Sequence, residues 1–175
     1  ARVFQNPAMG TCSKMTIFEN MSLADNKAKS FNLTFGLNKK RLGFYRESLS
    51  VLGMGLEDRM DAAAGTLSGG QRQALALIMA TLYTPKLLLL DEHTAALDPR
   101  SADTVMQLTN KIIEEKKLTA LMVTHNLRYA VDYGTRSVMM HDGKIVMDFR
   151  GDEKKSKTID DYLTQFNEIS IECGN

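Results

Sequence analysis

Apolar positions along the chain follow two periods, and the change between them divides the sequence. From Met15 to Leu82 they recur every three or four residues: Leu42, Tyr45, Leu49 and Leu52 share one helical face, and Leu75, Ile78, Met79 and Leu82 share another. From Lys86 onward, short unbroken apolar runs alternate with amphipathic stretches. "KLLLLDE" (86–92) and "LTALMVTHN" (118–126) read as buried parallel strands. Between them, Val105, Leu108, Ile112 and Ile113 keep helical spacing behind Pro99, a residue suited to a first helical turn. Strand, helix, strand is a βαβ unit, whose crossover is expected to be right-handed. The opening "ARVFQNPAMG" reads as a strand end entering a loop, so the chain is expected to begin in mid-domain.

Local signals set the boundaries. Thr16 with Glu19 forms a capping box that predicts a helix running through "NMSLADNKAK", and Ser68 with Gln71 repeats the pattern before the helix that ends near Pro85. Gly53 is the expected C-cap of the helix before it. Asp142-Gly143 inside "RSVMMHDGKIVMDF" marks a hairpin turn, and "TIDDYLTQF" reads as a short amphipathic helix. In open parallel sheets, ligands bind beyond the carboxyl ends of the strands. That rule puts Asp91, Glu92 and His125 on one rim, at the ends of strands expected to be neighbours.

Composition narrows the classes. The chain has 175 residues, 43% hydrophobic and 25% charged, with a formal net charge of +1. This is ordinary globular composition, and it favours neither a nucleic-acid surface nor an acidic tail. The apolar runs fall far short of the roughly 20 residues a membrane helix needs. Cys12 and Cys173 have no metal-ligand spacing and read as free thiols of a reducing cytosol. His93 and His141 read as hydrogen-bonded rim residues, and the 11 methionines as core filler.

The stretch "TLSGGQRQ" (66–73) places a serine and two glycines at a helix mouth, where backbone amides face an anion, yet it has no lysine of the phosphate-loop kind. Alone, it is a capping box. In order, however, the chain shows "VFQNP", "LSGGQ", an apolar strand closing in Asp-Glu, "AALD", and a histidine ending the next strand. This series resembles the ATP-binding-cassette (ABC) ATPases. "DEHTAALDP", "LMVTHN" and "MMHDGKI" are most similar to the ATPase subunits of bacterial amino-acid uptake systems, such as those for tryptophan.

The resemblance implies an α/β, P-loop-NTPase-like fold with a parallel-sheet core and an α-helical subdomain. It implies a glutamine-loop region at 1–15, a helical subdomain with the signature motif at 16–84, a catalytic core at 85–167 and a tail at 168–175. It also implies ATP and Mg²⁺ as cofactors. Asp91 would hold Mg²⁺ through water, Gln5 would complete the metal and water shell, Glu92 would act as general base, and His125 would contact the γ-phosphate. Ser68, Gly69, Gly70 and Gln71 would face the nucleotide bound by a second, head-to-tail subunit, and Asp98 would cross that interface. The implied partners are this second ATPase subunit and a transmembrane permease, with no nucleic acid. The implied place is the cytoplasmic face of the membrane and the implied task is import. Two other readings are a soluble ABC ATPase of repair or translation and a non-catalytic interaction module. The interval from Gln5 to Leu67 lacks the sustained heptads of the repair type.

One departure from the family pattern is large. No G-x-x-x-x-G-K-[ST] occurs, and the adenine-stacking aromatic is also missing, so the chain reads as the C-terminal part of such an ATPase. Alone, it is expected to bind ATP poorly, hydrolyse it negligibly, and leave sheet edges open to self-association. His93 also stands where the family commonly has proline.

Overall fold

The carboxyl ends of three parallel strands organise the first part of the molecule. The computed structural model describes residues 1–27 and 36–172 and divides into two compact units, Ala1–Val123 and Thr124–Asn175. In the first unit β1 (Arg2–Val3), β2 (Leu88–Asp91) and β3 (Ala120–Val123) form a parallel sheet in that order. Val3 pairs with Leu90, and Asp91 pairs with Val123. The opening strand and the neighbouring pair are as the sequence pattern predicts.

Side chains alternate across β2. Leu88 and Leu90 are buried with Val3, while Leu89 and Asp91 face the other way and are only half-buried. The buried face packs into one apolar cluster with α1 (Ile17–Asn26), α2 (Leu42–Ser50), α3 (Gly69–Thr81) and α4 (Pro99–Glu115), through Ile17, Met21, Tyr45, Leu49, Leu75, Leu77 and Ile112. This cluster takes residues from both sides of position 85. Both expected capping boxes form: Thr16 and Glu19 exchange side-chain-to-backbone bonds, as do Ser68 and Gln71. Helix α2 is capped at Val51, and Gly53 lies two residues further on with φ +61°, a conformation glycine takes without steric cost.

Three expectations about burial need correction here. β3 is not a buried strand: Leu121 is 58% exposed and Val123 54%. Among the described residues β3 has a strand neighbour on one side only, and the face it shares with Leu89 and Asp91 is the one turned away from the helices. The methionines are not all filler, since Met9 and Met140 are exposed while Met21, Met60, Met106 and Met147 are buried. His93, expected on the rim, is buried. The expected helix end at Ala28–Lys29, the loop at 30–35 and Cys173 lie outside the described residues.

The second unit holds α5 (Leu127–Asp132), the hairpin of β4 (Arg136–His141) and β5 (Lys144–Arg150), α6 (Gly151–Ser156) and α7 (Ile159–Glu172). The hairpin turns where expected, with Asp142 at φ +46° and Gly143 at φ +73°, the pair of positive values a tight two-residue hairpin requires. Asp148 on β5 is gripped by Arg136 and Arg150, and these hydrogen bonds hold its carboxyl well below the usual carboxylate range. The terminal helix is longer than the short one expected, at 14 residues. Among the described residues no helix is long and apolar enough to cross a membrane.

Candidate functional site

β2 ends in the two carboxylates that the sequence singles out. Asp91 is its last residue, and Arg2 on the neighbouring strand donates to its Oδ2 at 2.6 Å. The register explains the pair, because Arg2 lies opposite Leu89, on the same side of the sheet as Asp91. Arg2 also lies over the Phe4 ring, 4.7 Å from its centroid. Glu92 extends the ladder by one bond, its N–H donating to Val123 O at 2.9 Å. The chain then reverses: Glu92 has φ +44°, and its carbonyl accepts from Ala95 N–H at 2.9 Å. For a residue with a β-carbon, the left-handed region costs about 1–2 kcal/mol, and such strain collects at functional sites. Gln5 is exposed two residues beyond β1, so the ends of β1 and β2 bring it to the same rim as Asp91 and Glu92.

The turn after Glu92 is fastened from below. His93 is 1% exposed, in the core and not on the rim. Its Nε2 lies 3.1 Å from Thr109 Oγ1 on α4, and Thr109 gives its own hydroxyl hydrogen to Val105 O at 2.7 Å. The Thr109 oxygen must therefore accept, which fixes the Nε2–H tautomer of His93. Burial pushes the imidazole pKa down from 6.5 to about 4, so the ring is neutral at pH 7. The turn ends at Asp98, the N-cap of α4, whose Oδ1 accepts from Ser101 N–H at 3.0 Å. Hydrogen bonds from Ser101 hold the Asp98 carboxyl below its ordinary range.

The mouth of α3 is built differently. Ser68 Oγ accepts from Gln71 N–H at 3.3 Å, and Gln71 Oε1 accepts from Ser68 N–H at 3.2 Å. The Gln71 side chain is thus committed to the cap. The first N–H groups of a helix have no intrahelical acceptor, and Ser68 and Gly69 are both exposed. The Gly69 and Gly70 amides therefore lie at the positive end of the helix dipole without intrahelical acceptors. Gly70 is also closely packed: a β-carbon there would stand 3.1 Å from Ser101 Cβ, so Ser101 would have to give by a few tenths of an ångström.

Sequence reasoning misses the next two residues of the same helix. Arg72 Nε donates to Thr11 Oγ1 at 2.6 Å, and Gln73 Nε2 donates to Phe4 O at 2.9 Å. Gln73 is fully buried, and a β-carbon on Gly10 would lie 3.2 Å from Ala76 Cβ. Helix α3 therefore holds the segment that follows Gln5. The only sequence signal is a polar Arg-Gln pair inside an apolar helical run. His125 belongs to the second unit, where it is exposed one residue before Asn126, the N-cap of α5. Its assignment rests on its place two residues after β3 in the chain.

The residues present fit a Mg²⁺-nucleotide. Mg²⁺ is usually held by one or two carboxylates together with phosphate oxygens and water. Asp91 offers such a carboxylate if it gives up its bond to Arg2. The Ser68 hydroxyl and the leading α3 amides suit a phosphate without any lysine.

Comparisons with known proteins place the chain in a family. Residues 1–95 match the ABC transporter family, a span that holds Gln5, the Ser68–Gln71 mouth, Asp91 and Glu92. A Clostridioides difficile protein named as a tyrosine transport ATP-binding protein is 48% identical over 166 residues, covering 95% of this chain and 66% of the relative. A Bacillus subtilis protein named as a probable amino-acid import ATP-binding protein is 36% identical over 135 residues, covering 74% of this chain and 54% of the relative. The chain thus spans about half to two thirds of the length of these relatives. The structure of an ATP-binding cassette of an ABC transporter in its ADP conformation superposes with a TM-score of 0.70 at 23% identity, over 100% of this chain and 68% of that one. The chain belongs to the ABC transporter family, and its fold is that of an ATP-binding cassette.

Proposed function

We propose that this chain is part of an ATP-hydrolysing subunit that energises the import of an amino acid through a membrane permease, acting from the cytoplasmic face as a head-to-tail pair. The observation that carries the reading is Glu92: a carboxylate at the end of the central strand, beside Asp91, on backbone held in a strained conformation. The names of the tyrosine-transport and amino-acid-import relatives support the substrate class.

In this reading Asp91 and Gln5 would hold Mg²⁺, Asp91 through water and in place of its bond to Arg2. The ion's chemistry is to neutralise charge on the nucleotide phosphates. Glu92 accepts the proton of the attacking water, and His125 hydrogen-bonds the γ-phosphate. Ser68 Oγ–H and the amides of Gly69 and Gly70 donate to the γ-phosphate held by the partner subunit, where the helix dipole favours negative charge. Gln71 keeps that mouth in shape, and Asp98 reaches across the interface. The helical segment at 16–84 meets the permease, and the Arg72 and Gln73 bonds tie it to the loop that carries Gln5.

Replacing Glu92 with Gln keeps the shape of the side chain and removes the base. In the full-length subunit, turnover should fall about 10²–10⁴-fold while Mg-ATP affinity changes less than about twofold. Turnover near the wild-type rate would contradict the assignment.

A further inference from the structure

We infer that His93 is a positioning residue for Glu92: its Nε2–H bond to Thr109 ties the turn that presents the carboxylate to helix α4. The inference rests on the proposed function for its catalytic half and on geometry alone for its structural half.

The turn has two working ends. Glu92 stands at one with φ +44°, and Asp98 caps α4 at the other. Two backbone bonds close it, Ala95 N–H to Glu92 O at 2.9 Å and Leu97 N–H to Thr94 O at 3.1 Å. Both are local, and neither sets where the turn sits relative to the helix that follows it. Beyond the Asp98 cap at the first turn of α4, His93 adds a long-range tie, its side chain buried and its partner in the middle of α4, fully buried and 16 residues away in sequence. Thr109 is itself oriented by its bond to Val105 O. A donor on a rigid ring meets a hydroxyl whose own hydrogen is already given to Val105 O, so only the accepting side of the Thr109 oxygen is left to the ring. A proline at this position could restrict its own φ but could not reach α4. With histidine, the aim of Glu92 depends on a buried contact that crosses from the sheet end to the helix. Small losses of aim in a reacting group are expensive in rate.

The test uses His93→Ala, Thr109→Val, the double variant, and Thr109→Ser as the conservative control. Amide hydrogen exchange is measured on the full chain and turnover on the full-length subunit. Exchange at Ala95 and Leu97 should rise about tenfold in His93→Ala and Thr109→Val, while Glu92 N–H and Leu88 N–H, both in the β2–β3 ladder, stay protected and show that the sheet is intact. The nitrogen spectrum of His93 should show the Nε2–H tautomer, and Thr109→Val should redistribute it. Turnover should fall about tenfold with KM for Mg-ATP unchanged. The double variant should be no worse than either single one, and Thr109→Ser should behave like wild type. Unchanged exchange at Ala95 and Leu97 would overturn the tether. Raised exchange with unchanged turnover, in a protein that Glu92→Gln inactivates, would overturn the positioning role. A Glu92→Gln variant of normal turnover would instead contradict the proposed function, and with it the catalytic half of this inference.

Discussion

The mouth of α3 and the turn after β2 lie against each other, and they present chemistry by opposite means. At Ser68–Gln71 the hydrogen bonds that shape the mouth are local. A serine and a glutamine three residues apart close the cap, two glycines leave the amides bare, and φ is positive at none of these positions. At Asp91–Asp98 the carboxylate proposed as the base, Glu92, sits on left-handed backbone, its neighbour His93 reaches to α4, and Asp91 is paired with Arg2, 89 positions away in sequence. A site that offers backbone donors to an anion arriving from outside needs only a helix start. Aiming one carboxylate requires strain, and long-range contacts that hold it.

The largest effect that separates the two regions is the response to acid. His93 is neutral in the fold because its pKa is pushed down to about 4, whereas the unfolded chain protonates it near 6.5. Between those values the unfolded state binds more protons, so stability falls as pH falls from about 6.5 toward 4 and is unaffected above that window. The loss should reach roughly 2–3 kcal/mol by pH 4.5, at about 1.4 kcal/mol per unit. Urea midpoints measured from pH 7 to 4.5 should show this slope in wild type and much less of it in His93→Gln. Parallel profiles would mean that the ring reaches water and the turn is not fastened as described.

Next in size is a probe of where the two regions touch. Valine at Gly70 presses its β-carbon against Ser101 and should cost about 1–3 kcal/mol of overpacking. Alanine at Gly69 meets only the flexible end of Leu97, at 3.2 Å, and should cost less than about 0.5 kcal/mol. Equal losses in thermal melts would show that the glycine pair is kept for its backbone alone.

The smallest effect has the opposite sign. Glu92→Gly removes the left-handed penalty of about 1–2 kcal/mol that Glu92→Ala keeps, against an entropic cost of about 0.4–1 kcal/mol. Glu92→Gly should therefore be about 0.5–1 kcal/mol more stable than Glu92→Ala, with activity lost in both. A Glu92→Gly protein less stable than Glu92→Ala would show that this backbone is not strained.

The same contrast explains how much of the fold and the site is legible in the sequence. The capping boxes at Thr16 and Ser68, the Asp142-Gly143 turn, the strand at Leu88–Asp91 and the helix from Pro99 are encoded within a few residues, and each forms where its pattern lies. The rim position of Asp91 and Glu92 follows from strand order, which the βαβ pattern carries. What the pattern does not reveal depends on partners far along the chain. His93 reads as a rim residue because burial by α4 is not written near it. The exposure of β3 depends on which strands flank it, and its Val and Leu side chains look the same buried or bare. Arg72 and Gln73 read as a polar interruption of a helix, and only the fold brings Thr11 and Phe4 beside them.

The central claim is that the α3 mouth serves a phosphate held by another copy of the subunit. Size-exclusion chromatography of the full-length protein in Mg-ATP tests it most directly. With hydrolysis blocked by Glu92→Gln, the protein should elute as a dimer in Mg-ATP and as a monomer without it. Adding Ser68→Arg, which places a bulky side chain at the mouth, should leave it monomeric while each copy still binds nucleotide. A double variant that dimerises in Mg-ATP as fully as Glu92→Gln alone would contradict the account.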